Sequence, residues 1–180
     1  SCLVGSEMCI RDRDWPEERF KVQAAMVSRM DRDIGRIKRL LEKLGIEEDT
    51  LLIFNSDNGA HGQGGTREFF DTTGGLKGKK RLMTEGGVRS PMLAYWPGKV
   101  PAGTHSEHIS AFWDFLPTMA ELAGEPINGR TDGLSMLPTL IGEYEQQKEH
   151  RYLYWELYEG RPNCGVRMGK WKGLVQDRRK

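Results

Sequence analysis

The chain has 180 residues, 37% of them hydrophobic and 29% charged, enough for one compact domain with a real core. Lys and Arg number 27 against 26 for Asp and Glu, so the formal net charge is +1 and no global positive field exists to hold nucleic acid or an anionic membrane. The longest apolar runs are only a few residues, which excludes a membrane span in this chain, and Cys2, Cys9 and Cys164 stand at neither a disulfide-framework nor a zinc spacing.

Ser1 to Arg13 has no clear period and carries two of the cysteines, and the run from Val4 to Arg13 resembles a translated sequencing-library adaptor. It is set aside from fold reasoning as a fusion scar would be. Val27, Met30, Ile34, Ile37, Leu41 and Leu44 recur by threes and fours, which predicts an amphipathic helix ended by Gly45. Leu51 to Phe54 is a short continuous apolar run, of the kind found in strands covered on both faces. A Gly-rich tract from Asn58 to Gly87 follows, too long to be a mere connector. Pro91 to Trp96 reads as a second buried strand, stopped by Pro97-Gly98. Trp113 to Ala123 reads as a helix with Leu116, Met119, Ala120 and Ala123 on one side and Gly124 as its end. From about Glu149 the chain changes to short aromatic-rich runs, Tyr152–Leu157, Val166–Met168 and Trp171–Leu174, which predict an antiparallel meander. The fold class is thus α/β.

Chemistry concentrates in the Gly-rich tract. Asp57 and Asn58 stand directly after a buried strand, where open α/β sheets place ligands, and a carboxylate beside an amide oxygen suits Ca²⁺ or Mg²⁺ better than zinc or copper. Asn58-Gly59 is also simply a good turn dipeptide. His61 follows in a setting where an imidazole can donate to an anion or merely face water. Lys77-Gly78-Lys79-Lys80-Arg81 crowds four cations around a glycine, as an anion site or a solvated turn. Glu85 and Arg89 are placed to pair and brace the loop. No serine or cysteine stands in a recognisable nucleophile motif.

Ser56-Asp57-Asn58-Gly59, then Leu76 to Arg81, then Glu85-Gly86-Gly87-Val88-Arg89-Ser90-Pro91 resemble, in order and spacing, the C-terminal half of the catalytic domain of type I sulfatases. Met30 to Gly35, Trp96 to Lys99, Asp114 to Thr118 and Val166 to Lys172 are similar to bacterial arylsulfatases of that family, so the resemblance runs from about Ala24 to the end. It implies part of an alkaline-phosphatase-like sandwich with a partial C-terminal antiparallel sheet, and hydrolysis of a sulfate ester by a formylglycine nucleophile beside bound Ca²⁺, with Mg²⁺ as the substitute. By the same resemblance Asp57 and Asn58 match metal ligands and Lys80 matches the lysine that holds a sulfate oxygen, with Lys79 one register away. His61 matches a position near the substrate.

The Cys/Ser-x-Pro-x-Arg motif that yields formylglycine is expected upstream; Cys9 to Arg13 lacks its proline. The reading is therefore a sulfatase fragment cut at both ends, with residues 1–13 as adaptor, 14–148 as the later part of the catalytic domain and 149–180 as the start of a small C-terminal subdomain. Alone, the chain is expected to be inactive. The intact enzyme is expected to take a sulfated small molecule or carbohydrate, without nucleic acid or a membrane span, in the periplasm or outside the cell. A phosphodiester or phosphonate hydrolase of the same superfamily and a non-catalytic anion-binding remnant are the alternatives.

Overall fold

The computed structural model describes residues 13–159 and 163–176, so the adaptor-like segment up to residue 12 and the last four residues lie outside the described residues. Two compact units emerge, one comprising the chain up to Thr50 with Asn55–Pro91, the other Leu51–Phe54 with the chain from Met92 onward.

In the first unit, helix α1 covers Glu18–Leu44 and begins ahead of the predicted Val27. Its early start has a tertiary cause. Phe20, near the N-terminus, is buried and stacks on Phe69 with ring centroids 4.0 Å apart, while Phe70 meets it edge-on at 6.1 Å. Trp15 closes this aromatic cluster against both phenylalanines. At the other end Gly45 adopts the left-handed conformation, and the N–H groups of Gly45 and Ile46 donate to Glu42 and Leu41 carbonyls, capping the last turn as expected. Exposed pairs such as Lys38–Glu42 at 3.1 Å contribute only about 0.3–0.5 kcal/mol each. Met30, Ile37 and Leu44 of the predicted apolar stripe are exposed. Two short helices, α2 (Thr66–Phe70) and α3 (Glu85–Val88), punctuate the Gly-rich tract.

In the second unit, strand β1 (Leu52–Asn55) pairs with β2 (Met92–Tyr95) in a two-stranded sheet. Both strands fall where predicted, but neither is fully buried: β1 is intermediate along its length and Leu93 is exposed, because a two-stranded sheet offers few covering neighbours among the described residues. Helix α4 (Phe115–Ala123) ends at left-handed Gly124 as read from sequence, and Pro117 falls in its first turn, where no helical hydrogen bond is lost. Its buried face differs from the predicted one. Leu116 and Met119 point to solvent, whereas Pro117 and Thr118 are buried behind Asp114, which is fully inaccessible.

A polar network explains that inversion. Asp114 Oδ2 accepts the N–H of Ala111 at 2.7 Å, and its Oδ1 accepts the N–H of Leu134 at 2.8 Å and meets His150 Nε2 at 2.8 Å. The Thr118 hydroxyl donates to Asp114 O at 2.6 Å and accepts the N–H of Met136 at 3.0 Å. Met136 is 1% exposed and, with buried Leu140 on helix α5 (Leu137–Ile141), forms the apolar side of this core. Each buried polar group in the network has its partner, so helix burial is directed by hydrogen bonding rather than by the apolar period.

The meander is present. β3 (Leu153–Leu157), β4 (Asn163–Met168) and β5 (Trp171–Gln176) pair antiparallel in that order, with Leu153 opposite Arg167 and Met168 opposite Trp171. Leu153 and Cys164 are buried, Trp155 lies 6.0 Å from Trp113, and the Lys172 ammonium sits 5.3 Å from the Trp155 ring centroid.

Candidate functional site

The predicted site residues all belong to the first unit, where backbone contacts tie three sequence-distant segments into one knot. Ser56 Oγ donates to Asn58 O at 2.9 Å and shapes the turn after β1. Ser90 Oγ donates to Ser56 O at 2.8 Å and lies 3.1 Å from Asn55 Oδ1, joining this turn to the segment after α3. Gly59 N–H donates to Gly87 O at 2.9 Å, and a Cβ on Gly59 would stand 2.0 Å from Gly86 O, so only glycine permits this approach. Lys80 N–H donates to Ala60 O at 3.0 Å, which brings the basic loop against the residue preceding His61. Gly86 N–H donates to Lys77 O at 2.8 Å, closing the knot from its third side.

Two residues overlooked in the sequence brace the basic loop. Arg67 on α2 donates through Nη1 to Gly78 O at 2.7 Å while its Nε holds Glu68 at 2.9 Å. Thr84, 8% exposed, occupies the space that a side chain on Gly78 would need: a Cβ there would lie 1.8 Å from Thr84 Oγ1, and Gly78 has φ of 92°. Neither residue carries a local signature, since each meets the basic loop only in the fold. Arg89, expected to pair with Glu85, is joined to it by its N–H donating to Glu85 O at 2.8 Å, the closing bond of α3.

The side chains present a mixed surface. Asp57, His61, Lys77 and Lys79 are exposed, and Lys80 is half-buried. Lys79 runs over Gly62, its Cδ filling the space a Cβ would take there. Glu68 is held below the usual carboxylate range, first by a backbone hydrogen bond and then by Arg67, with Lys79 adding to the effect. Asn58 is the exception. Its Oδ1, like Thr84 Oγ1, is buried and has no hydrogen-bond partner, an arrangement that costs about 1–3 kcal/mol unless a ligand satisfies it. An amide oxygen of this kind beside a carboxylate is a donor set for a hard cation. Among the described residues no cluster of three His, Cys, Asp or Glu side chains forms a metal cage.

The family pattern described as Sulfatase matches residues 7–125, and that of the N-sulphoglucosamine sulphohydrolase C-terminal region matches residues 75–177. The chain is 36% identical over 153 residues to N-acetylgalactosamine-6-sulfatase of Canis lupus familiaris, covering 81% of this chain and 27% of that protein. It is 37% identical over 145 residues to human arylsulfatase A, covering 79% of this chain and 28% of that protein. The crystal structure of Ps i-CgsB in complex with k-i-k-neocarrahexaose superposes with a TM-score of 0.79 at 32% identity, over 93% of this chain and 36% of that one. BT4656 in complex with its substrate D-glucosamine-2-N,6-O-disulfate gives a TM-score of 0.67 at 26% identity, over 84% of this chain and 30% of that one. The architecture is thus the alkaline-phosphatase-like α/β class expected from the sequence. The chain belongs to the sulfatase family, and it spans roughly a quarter of the length of the curated relatives it matches.

Proposed function

We propose that this chain is the later part of a sulfate ester hydrolase, in which the knot around Asn58 and Lys80 receives the sulfate group. The observation that carries this reading is the buried, unpartnered Asn58 Oδ1 beside Asp57, in a turn joined by Ala60 to the backbone of Lys80. Asp57 and Asn58 hold a hard divalent cation, Ca²⁺ first, which when bound polarises a sulfate oxygen. The Lys80 ammonium binds a second sulfate oxygen and offsets negative charge during transfer. His61, exposed beside that link, donates a hydrogen bond to the anion. The nucleophile is a formylglycine supplied from outside this chain, which has no Cys/Ser-x-Pro-x-Arg motif; alone, the chain turns over no sulfate ester.

Sulfated carbohydrate is the favoured substrate class, because the structural neighbours were solved with neocarrahexaose and a glucosamine disulfate. Residues 14–148 read as catalytic domain and 149–180 as the start of the C-terminal subdomain. A periplasmic or secreted location accords with the family. No helix among the described residues is long and apolar enough to cross a membrane.

The test is sulfate-ester turnover by the enzyme expressed with its upstream region. Asp57→Ala and Lys80→Ala should each lower kcat/KM by about 10²-fold or more. Undiminished turnover in either variant, or a preference for phosphodiesters over sulfate esters, would contradict the assignment.

A further inference from the structure

A cavity of about 410 Å³ opens in the second unit and uses none of the knot's residues. Its charged and titratable lining comes from three places: His105, Glu107 and His108 on the loop before α4; Tyr144, Glu149 and His150 after α5; and Arg167 on β4. Thr139 and Gln147 also line it but are committed to each other, Gln147 Oε1 accepting both the N–H and the hydroxyl of Thr139 at 3.0 and 2.7 Å.

His150 connects this cavity to the buried network. Its Nε2 lies 2.8 Å from Asp114 Oδ1, and a carboxylate can only accept, so Nε2 carries the proton of that contact and Nδ1 is the second ring nitrogen. Asp114 is anchored in turn by the N–H groups of Ala111 and Leu134, which fixes the imidazole plane. The side chain of His150 is 9% exposed and that of Asp114 1%, so this orientation is not averaged by solvent.

The charge balance of the lining turns on the imidazoles. With His105, His108 and His150 neutral, the carboxylates of Glu107, Glu149 and Asp114 outweigh the single guanidinium of Arg167. With the imidazoles protonated the balance reverses and the cavity is cationic. Burial holds the His108 imidazole below its usual range; Asp114 and Glu149 pull it upward and His150 pushes it down.

We propose that this cavity binds a small oxyanion, held by Arg167 and by protonated His105, His108 and His150, so that occupancy rises as pH falls from neutral to mildly acid. The chain has four histidines, three of which line the cavity, and Arg167→Gln serves as the reference for shifts that do not need the site. NMR titration of the imidazole C–H signals, at constant ionic strength with sulfate or acetate replacing chloride, tests the site. The anion should raise the midpoints of His108 and His150 by about half a unit each. By linkage, two such shifts correspond to about tenfold tighter binding with both imidazoles protonated than with both neutral. Arg167→Gln should remove most of the effect, and Lys80→Ala should leave it intact.

A shift with sulfate, acetate or both supports the site and sets its preferred anion shape. No shift at His108 and His150 with either anion overturns it, as does an equal shift in Arg167→Gln. If His150→Gln does not fold, His108→Gln and Arg167→Gln carry the test, since neither residue holds the Asp114 network.

Discussion

The knot around Asn58 and the network around Asp114 are both polar assemblies beneath the surface, but their hydrogen bonding differs. In the knot the backbone groups that join the segments are paired, while two buried side-chain oxygens, Asn58 Oδ1 and Thr84 Oγ1, are left without a partner, the first in the residue after exposed Asp57. Around Asp114 both carboxylate oxygens are occupied, by two backbone N–H groups and an imidazole. A satisfied buried group stabilises a fold, whereas an unsatisfied one is held at a cost that a ligand can remove. The contrast separates a supporting element from the one we propose as receiving.

The largest expected effect lies in the supporting element. Asp114→Ala removes the acceptor of two buried N–H groups and of His150, and should cost about 3–5 kcal/mol in urea unfolding. A loss near 0.5 kcal/mol would remove the distinction drawn between the two assemblies. Next comes the knot's steric requirement. Gly59→Ala places a methyl 2.0 Å from the Gly86 carbonyl oxygen, backbone that cannot rotate away, and should cost about 1–3 kcal/mol while loosening the Ala60–Lys80 link. Faster amide exchange at Lys80 is the local readout; unchanged exchange would show that the close contact does not hold the basic loop.

A smaller effect follows from His108. Its imidazole is held below the usual range by burial, so over the window between its folded and unfolded midpoints the unfolded chain carries more protons. Its contribution to stability is therefore present above the ordinary histidine range and lost as pH falls through that range toward the folded value. Urea midpoints measured from pH 8 downward should decline less in His108→Gln than in the native chain, and an identical decline would remove His108 as a contributor.

Legibility in the sequence follows the same contrast. Ser56 to Gly59, Leu76 to Arg81 and Glu85 to Pro91 are contiguous signatures, so the knot's components were readable, although the bonds joining Gly59 to Gly87 and Ala60 to Lys80 were not. The meander was readable from aromatic runs broken by turn residues, because its pairing is local. The Asp114 network escaped because its partners are far apart in sequence, with Leu134 and His150 lying 20 and 36 residues away. Apolar periodicity assigned α4 the wrong inner face for the same reason: hydrogen bonds from Thr118 and Asp114, not the positions of Leu116 and Met119, orient the helix. The start of α1 depended likewise on Phe20 meeting Phe69 and Phe70, which no window along the helix contains.

The central claim is that Asn58 Oδ1 is kept unpartnered to receive a cation. Thermal unfolding of the native chain and of Asn58→Ala, each with and without saturating Ca²⁺, tests it most directly. Without Ca²⁺ the variant should be no less stable than the native chain, since it discards a buried oxygen that makes no hydrogen bond. With Ca²⁺ at about 100 times its Kd the native chain should gain about 2.7 kcal/mol and the variant far less. Equal Ca²⁺ stabilisation of both, or none of the native chain, would contradict the account.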